Sequence, residues 1–332
     1  MRSTRIQEVR FFEATSTLSQ PIADATHQIP AIEFIVAEIV LANGVRGQGY
    51  LLAFHYSRAA IRGALRDLAP LVQDFDAAAT GEFIAQAERA HEYFGHEGVQ
   101  RWAVGLINIA MWDAWARSLG APMHRLFGQT RRSVPVYGSG GWLSYSDAEL
   151  VDEVRAYAAR GFNAVKVKVG SPDVQRDLER LRLVREAVGP QVRVMMDANQ
   201  GCDLAGALAL SRAAMPLGIT WFEEPLHHHD VAGYATLRRQ CGISLAMGER
   251  EYDTRGLQAL IAADGIDLWQ GQAVGQVGRH VANAVLVSHL FSFVEVAADE
   301  GHHLHAVDVF DAVQVFDAKG TCARQGDFDG FA

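Results

Sequence analysis

The stretch FNAVKVKVG, residues 162–170, sets Lys166 and Lys168 two positions apart within a run of valines. Side chains alternate across a β-strand, so both ammonium groups share one face while Val165, Val167 and Val169 share the other. Two amines on an interior strand are costly unless an anionic group meets them. Three acids downstream are candidates: Asp197 in VRVMMDAN, Glu223 in ITWFEEP and Glu249 in ISLAMGE, each closing an apolar run. The intervals along Lys168, Asp197, Glu223 and Glu249 are 29, 26 and 26 residues. A lone strand-end acid is usually an ion-pair partner of a nearby Arg or Lys, but three at a regular interval imply a common purpose. Converging carboxylates repel unless a cation neutralises them. Oxygen ligands without His or Cys select a hard ion, and Mg²⁺ is the expectation. A lysine beside a dication and a second lysine loses its proton more readily, so Lys168 is expected to act as a base with a lowered pKa. On the plainer alternative, the two lysines only pair with the acids and hold the site together.

The interval is that of one strand–helix unit. Amphipathic stretches such as DVQRDLERLRLVREAVG and DTRGLQALIAADG separate the apolar strands AVKVKVG, VRVMMDAN, ITWFEEP, ISLAMGE and IDLWQ. This alternation predicts βα units on a parallel sheet covered on both faces. In a βα barrel the C-terminal strand ends converge on one mouth, which would bring the lysines and acids together. Upstream the rhythm differs. Residues 1–60 hold β-like runs, IEFIVAEIVLANG and VRGQGYLLAF, with Gly44, Gly47 and Gly49 read as turn residues, and residues 61–127 follow a helical pattern. The expected domains are an α+β unit over 1–133, a βα barrel over 134–270 and an atypical segment over 271–332.

At 332 residues and 49% hydrophobic the chain can bury a large core. A net charge of −9 gives no basic footprint for nucleic acid or an anionic membrane, leaving a small molecule as the expected partner. Neither a long apolar span nor the apolar core of a signal peptide is present, and three scattered cysteines make neither a disulfide framework nor a zinc cluster. A cytoplasmic protein is expected, as a homo-oligomer.

VKVKVG, MMDANQ, WFEEPL and AMGE, in this order and spacing, resemble the enolase superfamily, in particular its mandelate racemase/muconate lactonizing enzyme-like group. NIAMWDAWARSLGAPMHRLFG resembles that group's passage from the first domain into the barrel, and the likeness runs from about residue 5 to 270. It implies an α/β fold: a (β/α)₇β TIM-like barrel with an N-terminal α+β capping domain. It also implies that Asp197, Glu223 and Glu249 bind Mg²⁺, that Lys168 is the base, and that Lys166 contacts the carboxylate of the substrate. By the same likeness Asn199 is a polar, substrate-binding residue beside the metal, and Glu224 supports the site without being a ligand. The shared step is removal of a proton α to a carboxylate, because the cation and Lys166 stabilise the charge that builds there.

The outcome of that step is hinted at by VPVYGSGGWLSYSDAEL and EEPLHHHDVAGYATLRRQ, which look most like sugar-acid (aldonate or aldarate) dehydratases. Racemisation or epimerisation of a 2-hydroxy acid is the alternative. Residues 16–31 correspond to the capping loop over the distal end of the substrate, and His227–His229 read as a solvated loop. Beyond Gln270 the likeness stops: Gln272 stands where the group carries an acid, and His289, whose neighbours suit the group's second base, lies too close to Gln272 to align without a deletion. A barrel that does not close in the usual way is expected, and with it the further alternative of an impaired relative that keeps the metal site. So abrupt a break is what a shifted reading frame or a rearranged gene would leave.

Overall fold

The computed structural model describes residues 3–53, 57–94, 98–129, 132–133, 135–251, 254–270 and 328–331. Its first part is a long hairpin, β1 (Ile6–Ala23) and β2 (Gln28–Leu41), extended on one side by β3 (Arg46–Leu52) and backed by α1 (Arg58–Val72), α2 (Thr80–Ala90), α3 (Gly98–Ser118) and the short α4 (Met123–Leu126). The alternation that predicted strands here works because one face of β2 packs on α1 and α3: Ile35, Ala37, Ile39 and Leu41 share a core with Leu65, Leu68, Leu106, Ile107 and Met111.

Two expectations in this region are corrected. Gly44, at φ +80°, does make the β2–β3 turn, but Gly47 and Gly49 lie within β3. Their lack of a side chain serves a close approach: a Cβ on Gly47 would overlap the backbone of Ala114, and one on Gly49 would stand 2.9 Å from the Leu106 carbonyl of α3. Residues 16–31, expected as a loop, are instead the far end of the β1–β2 hairpin, paired through Ile22↔Ile29 and Ala23↔Gln28. Between Thr17 and Ile22 the register slips, around Pro21, which cannot donate to a ladder.

The second part alternates strand and helix as the spacing requires. Strands β4 (Gly138–Gly140), β5 (Ala164–Lys168), β6 (Arg193–Asp197), β7 (Ile219–Glu223), β8 (Leu245–Met247) and β9 (Leu268–Trp269) form a parallel sheet in sequence order. Helices α5 (Asp147–Ala159), α6 (Val174–Val188), α7 (Leu204–Ala214), α8 (Val231–Cys241) and α9 (Thr254–Ala262) connect them. Four helix starts arise from local chemistry. Ser146 and Glu149 close a capping box, and Asp173, Asp203 and Asp230 each accept a hydrogen bond from a backbone N–H of the first turn. Val165, Val167, Val194 and Met196 pack with Leu181, Val184 and Leu210 between sheet and helices. The lysines of β5 therefore occupy the opposite, inner face.

Of the segment beyond residue 270, only Phe328–Phe331 is described; as β10 it pairs antiparallel with β1, joining the sheet of the first part. Gln272 and His289 lie outside the described residues.

Candidate active site

Strand register builds the site. Lys168 on β5 stands beside Asp197 on β6, and Asp197 beside Glu223 on β7, so one row across the sheet carries all three at the C-terminal strand ends. The Lys168 Nζ donates to Asp197 Oδ2 at 2.7 Å, and the Lys166 Nζ donates to Glu223 Oε1 at 2.6 Å while lying 3.4 Å from Asp197 Oδ2. All four residues are buried. Glu249 is placed differently. It lies two residues beyond β8, past Gly248 at φ +137°, is 28% exposed, and sits 3.7 Å from the Arg250 guanidinium.

The electrostatics of the group are unbalanced. Burial works against the Asp197 carboxylate, but Lys168 and Lys166 outweigh it and bring its pKa to about 2. For Glu223 burial prevails over Lys166, with Asp197 and Glu249 adding repulsion, and its pKa rises. Glu224 has its Oε2 3.1 Å from Arg250 Nε, yet burial and the charge of Glu249 push it up to about 9. The two lysines thus leave negative charge uncompensated. Such a set of carboxylates, oxygen donors only, has the chemistry that a hard divalent cation selects. Polar atoms without a hydrogen-bond partner among the described residues surround it: Asn199 Oδ1, Glu224 Oε1 and Gln270 Oε1.

The lowered pKa expected for Lys168 is not what this arrangement gives. Burial disfavours its ammonium form and Lys166 repels it, but the Asp197 carboxylate outweighs both, so the pKa is raised; Lys166, held by Glu223 and Asp197 against the same burial, stands well above the ordinary lysine value. Asn199 is buried at φ +43°, its backbone N–H donating to Asp197 Oδ1 at 3.0 Å. It fixes the acid through its main chain, which the sequence did not suggest.

Several further residues escaped the sequence reading. Gln270 donates to Glu223 Oε2 at 2.7 Å and Trp221 Nε1 to the same oxygen at 3.0 Å, so this carboxylate is clamped from both sides. Trp142 lies under Lys168, Nζ to ring centroid 5.1 Å, and Tyr137 under Lys166 at 5.8 Å. Buried Arg180 donates to the carbonyls of Gly141, Trp142 and Tyr145, holding the loop that carries Trp142. The Trp221–Glu223 pair at i, i+2 on a strand was the one detectable signal; the rest join distant segments.

The hairpin tip reaches this mouth. Asp24 Oδ1 accepts from the backbone N–H groups of Thr26 and His27, both at 2.7 Å, shaping the turn. Thr26 Oγ1 donates to the Asn199 carbonyl at 3.2 Å, Leu143 N to the Ala23 carbonyl at 2.8 Å, and Ala25 sits against Gly170 and Gly201. The first part therefore covers the strand ends through the loops after β4, β5 and β6.

A capping α+β unit over the C-terminal ends of a parallel βα sheet, with paired lysines facing strand-end acids, defines an α/β-barrel enzyme class. Residues 6–128 match the mandelate racemase/muconate lactonizing enzyme N-terminal domain and residues 149–278 the enolase C-terminal domain-like family. The chain belongs to the enolase superfamily, in its mandelate racemase/muconate lactonizing enzyme group. It is 30% identical over 307 residues to the L-talarate/galactarate dehydratase of Salmonella typhimurium, covering 90% of this chain and 75% of that protein. With the D-galactarolactone cycloisomerase of Agrobacterium fabrum it shares 29% over 282 residues, 82% of this chain and 72% of the relative. The crystal structure of the Salmonella dehydratase, liganded with Mg and L-lyxarohydroxamate, superposes with a TM-score of 0.78 at 29% identity, covering 83% of this chain and 72% of that one. Among the described residues no helix is long and apolar enough to cross a membrane.

Proposed function

We propose that the protein removes the proton α to the carboxylate of a sugar acid, using Lys168 as the base, and that loss of water from the adjacent carbon completes a dehydration. The observation that carries this reading is the row Lys168, Asp197, Glu223 across three adjacent strand ends, with Lys166 on the same face. A Mg²⁺ held by Asp197, Glu223 and Glu249 would supply Lewis-acid stabilisation of the charge that builds on the substrate carboxylate. Lys166 adds a fixed ammonium to the same end, and its high pKa keeps it charged while Lys168 works. Lys168 accepts the proton at Nζ only as the neutral amine, so the Asp197 oxygen it now binds must be engaged elsewhere first. Trp142 and Arg180 hold the wall beside it. The α-proton taken up by Lys168 is then returned to the neighbouring hydroxyl, which leaves as water, so Lys168 ends as the neutral amine and the substrate becomes an enol that relaxes to a 2-keto acid. A role for Asn199 and the hairpin tip in meeting the rest of the ligand is supported by Asn199 Oδ1, unpartnered among the described residues, and by the contact of Thr26 with the Asn199 carbonyl.

Support for sugar acids as the substrate class comes from the dehydratase and cycloisomerase relatives. Incubation with a panel of aldonates and aldarates, read by mass spectrometry, tests it: the expected product has lost one water. Solvent-deuterium uptake at C2 without loss of water would instead favour a racemase or epimerase. A second reading, a metal-binding relative with impaired chemistry, is favoured by Gln272, which stands where the group carries an acid although the family match runs on to residue 278; absence of both product and exchange with every acid would support it.

A further inference from the structure

The loop after β7 carries His227, His228 and His229, three imidazoles that chemistry at the lysines does not use. A tight turn, closed by the Asp230 N–H on the His227 carbonyl at 2.9 Å, folds them onto one another. Ring centroids of His228 and His229 are 3.8 Å apart, those of His227 and His228 4.8 Å, and those of His227 and His229 5.3 Å. One donor atom from each ring lies within 4.8 Å of the other two. A merely solvated turn would splay consecutive side chains into water, and three imidazoles clustered this closely, two pairs tilted and one edge-on, would repel one another once protonated.

The middle histidine is oriented as a ligand would be. His228 Nδ1 is 3.0 Å from Glu251 Oε1, both side chains being largely buried, and this carboxylate fixes the proton on Nδ1 and leaves the Nε2 lone pair available. Glu251 is itself located: its N–H donates to the Gly248 carbonyl at 3.1 Å, and its Oε2 occupies the space where a Cβ on Gly256 would lie. The His228 N–H donates to Gln200 Oε1 at 3.2 Å, anchoring the turn to the loop after β6. His227 and His229 are exposed, so their rings have freedom to adjust; the His229 N–H reaches His227 Nδ1 over a long 3.3 Å, a contact an ion would displace.

We propose that His227, His228 and His229, with Glu251 behind His228, form a second metal site, for a borderline transition ion such as Zn²⁺ or Ni²⁺. Its donors are imidazole nitrogens, so it selects a different ion from the all-oxygen set of Asp197, Glu223 and Glu249. Each site can be filled without the other.

The test is calorimetric titration of Zn²⁺ into the full chain, stripped of metal and then held in saturating Mg²⁺. One Zn²⁺ per chain, bound with micromolar or tighter affinity, is expected. The double variant H227A/H229A should lose at least about tenfold in Zn²⁺ affinity, and Glu251→Gln about tenfold or more, as loss of the carboxylate behind a metal-bound histidine typically shows. Mg²⁺ affinity in H227A/H229A should remain that of the wild type, which also reports that the variant is folded. Co²⁺ in place of Zn²⁺ should give visible ligand-field bands that vanish in H227A/H229A. Binding only at millimolar Zn²⁺, unchanged binding in H227A/H229A, or competition of Zn²⁺ with Mg²⁺ for one site would each overturn the proposal.

Discussion

Lys168 and Asp197 face each other across adjacent strands, the ammonium donating to Oδ2 at 2.7 Å. The contact links the proposed base to a proposed metal ligand through one oxygen atom. As long as that oxygen holds Lys168, the ammonium form is favoured, so the two roles are coupled: Lys168 would act as a base only with Asp197 engaged elsewhere, as it would be if it held a cation.

Mg²⁺ affinity should depend on all three acids. Asp197→Asn, Glu223→Gln and Glu249→Gln keep shape and remove one charge each, and every one is expected to weaken Mg²⁺ binding at least about tenfold by titration, the loss of about 1.4 kcal/mol or more. Glu224→Gln should not, because Glu224 turns to Arg250 and Gln200. Equal losses in all four variants would mean that general negative charge, and no defined ligand set, attracts the ion.

Glu224 gives the metal-free protein a pH dependence of definite sign. Its pKa is near 4.5 in the unfolded chain and about 9 when folded, so between these values the folded state keeps a proton the unfolded state has released. Stability therefore falls as pH rises through that window, by on the order of a few kcal/mol, and levels off above it. Chemical denaturation at pH 5 and pH 8 should show this slope in the wild type and a flatter one in Glu224→Gln, with the variant the more stable at pH 8. A variant less stable than wild type at pH 8 would mean that Glu224 is ionised and held by Arg250.

In the capping unit, two glycine substitutions should diverge. Gly47→Ala forces a methyl group into the α3 backbone and should destabilise by about 1–3 kcal/mol or more. Gly63→Ala, in α1 with nothing near its Cβ position, should stabilise by roughly 0.5–1 kcal/mol. Thermal melts of the two variants side by side check the contrast; equal shifts would place α3 elsewhere.

What the sequence disclosed is what repeats along it. The strand ends at Lys168, Asp197 and Glu223 were legible because each βα unit returns its polar residue to the same register. Residues joined across long separations were not. Gln270 meets Glu223 from 47 positions away, Thr26 meets the Asn199 carbonyl from 173, and Gly47 answers to a helix 67 residues on. The hairpin over 16–31 was hidden because Pro21 and a polar alternation resemble a loop. The hold of Asp197 on Lys168, which raises the lysine pKa in the ion-free chain, was not legible because the sequence shows that an acid is near but not which atom it touches.

The central claim, that Lys168 removes the α-proton, is tested most directly by following loss of the C2 proton of a sugar acid in D₂O with Mg²⁺, by NMR. Wild-type protein should remove that proton; Lys168→Ala should lose its removal by at least about a thousandfold, within the range a positioned base contributes, while its Mg²⁺ affinity is kept or improved. Removal at the wild-type rate in Lys168→Ala, with the metal bound, would contradict the account.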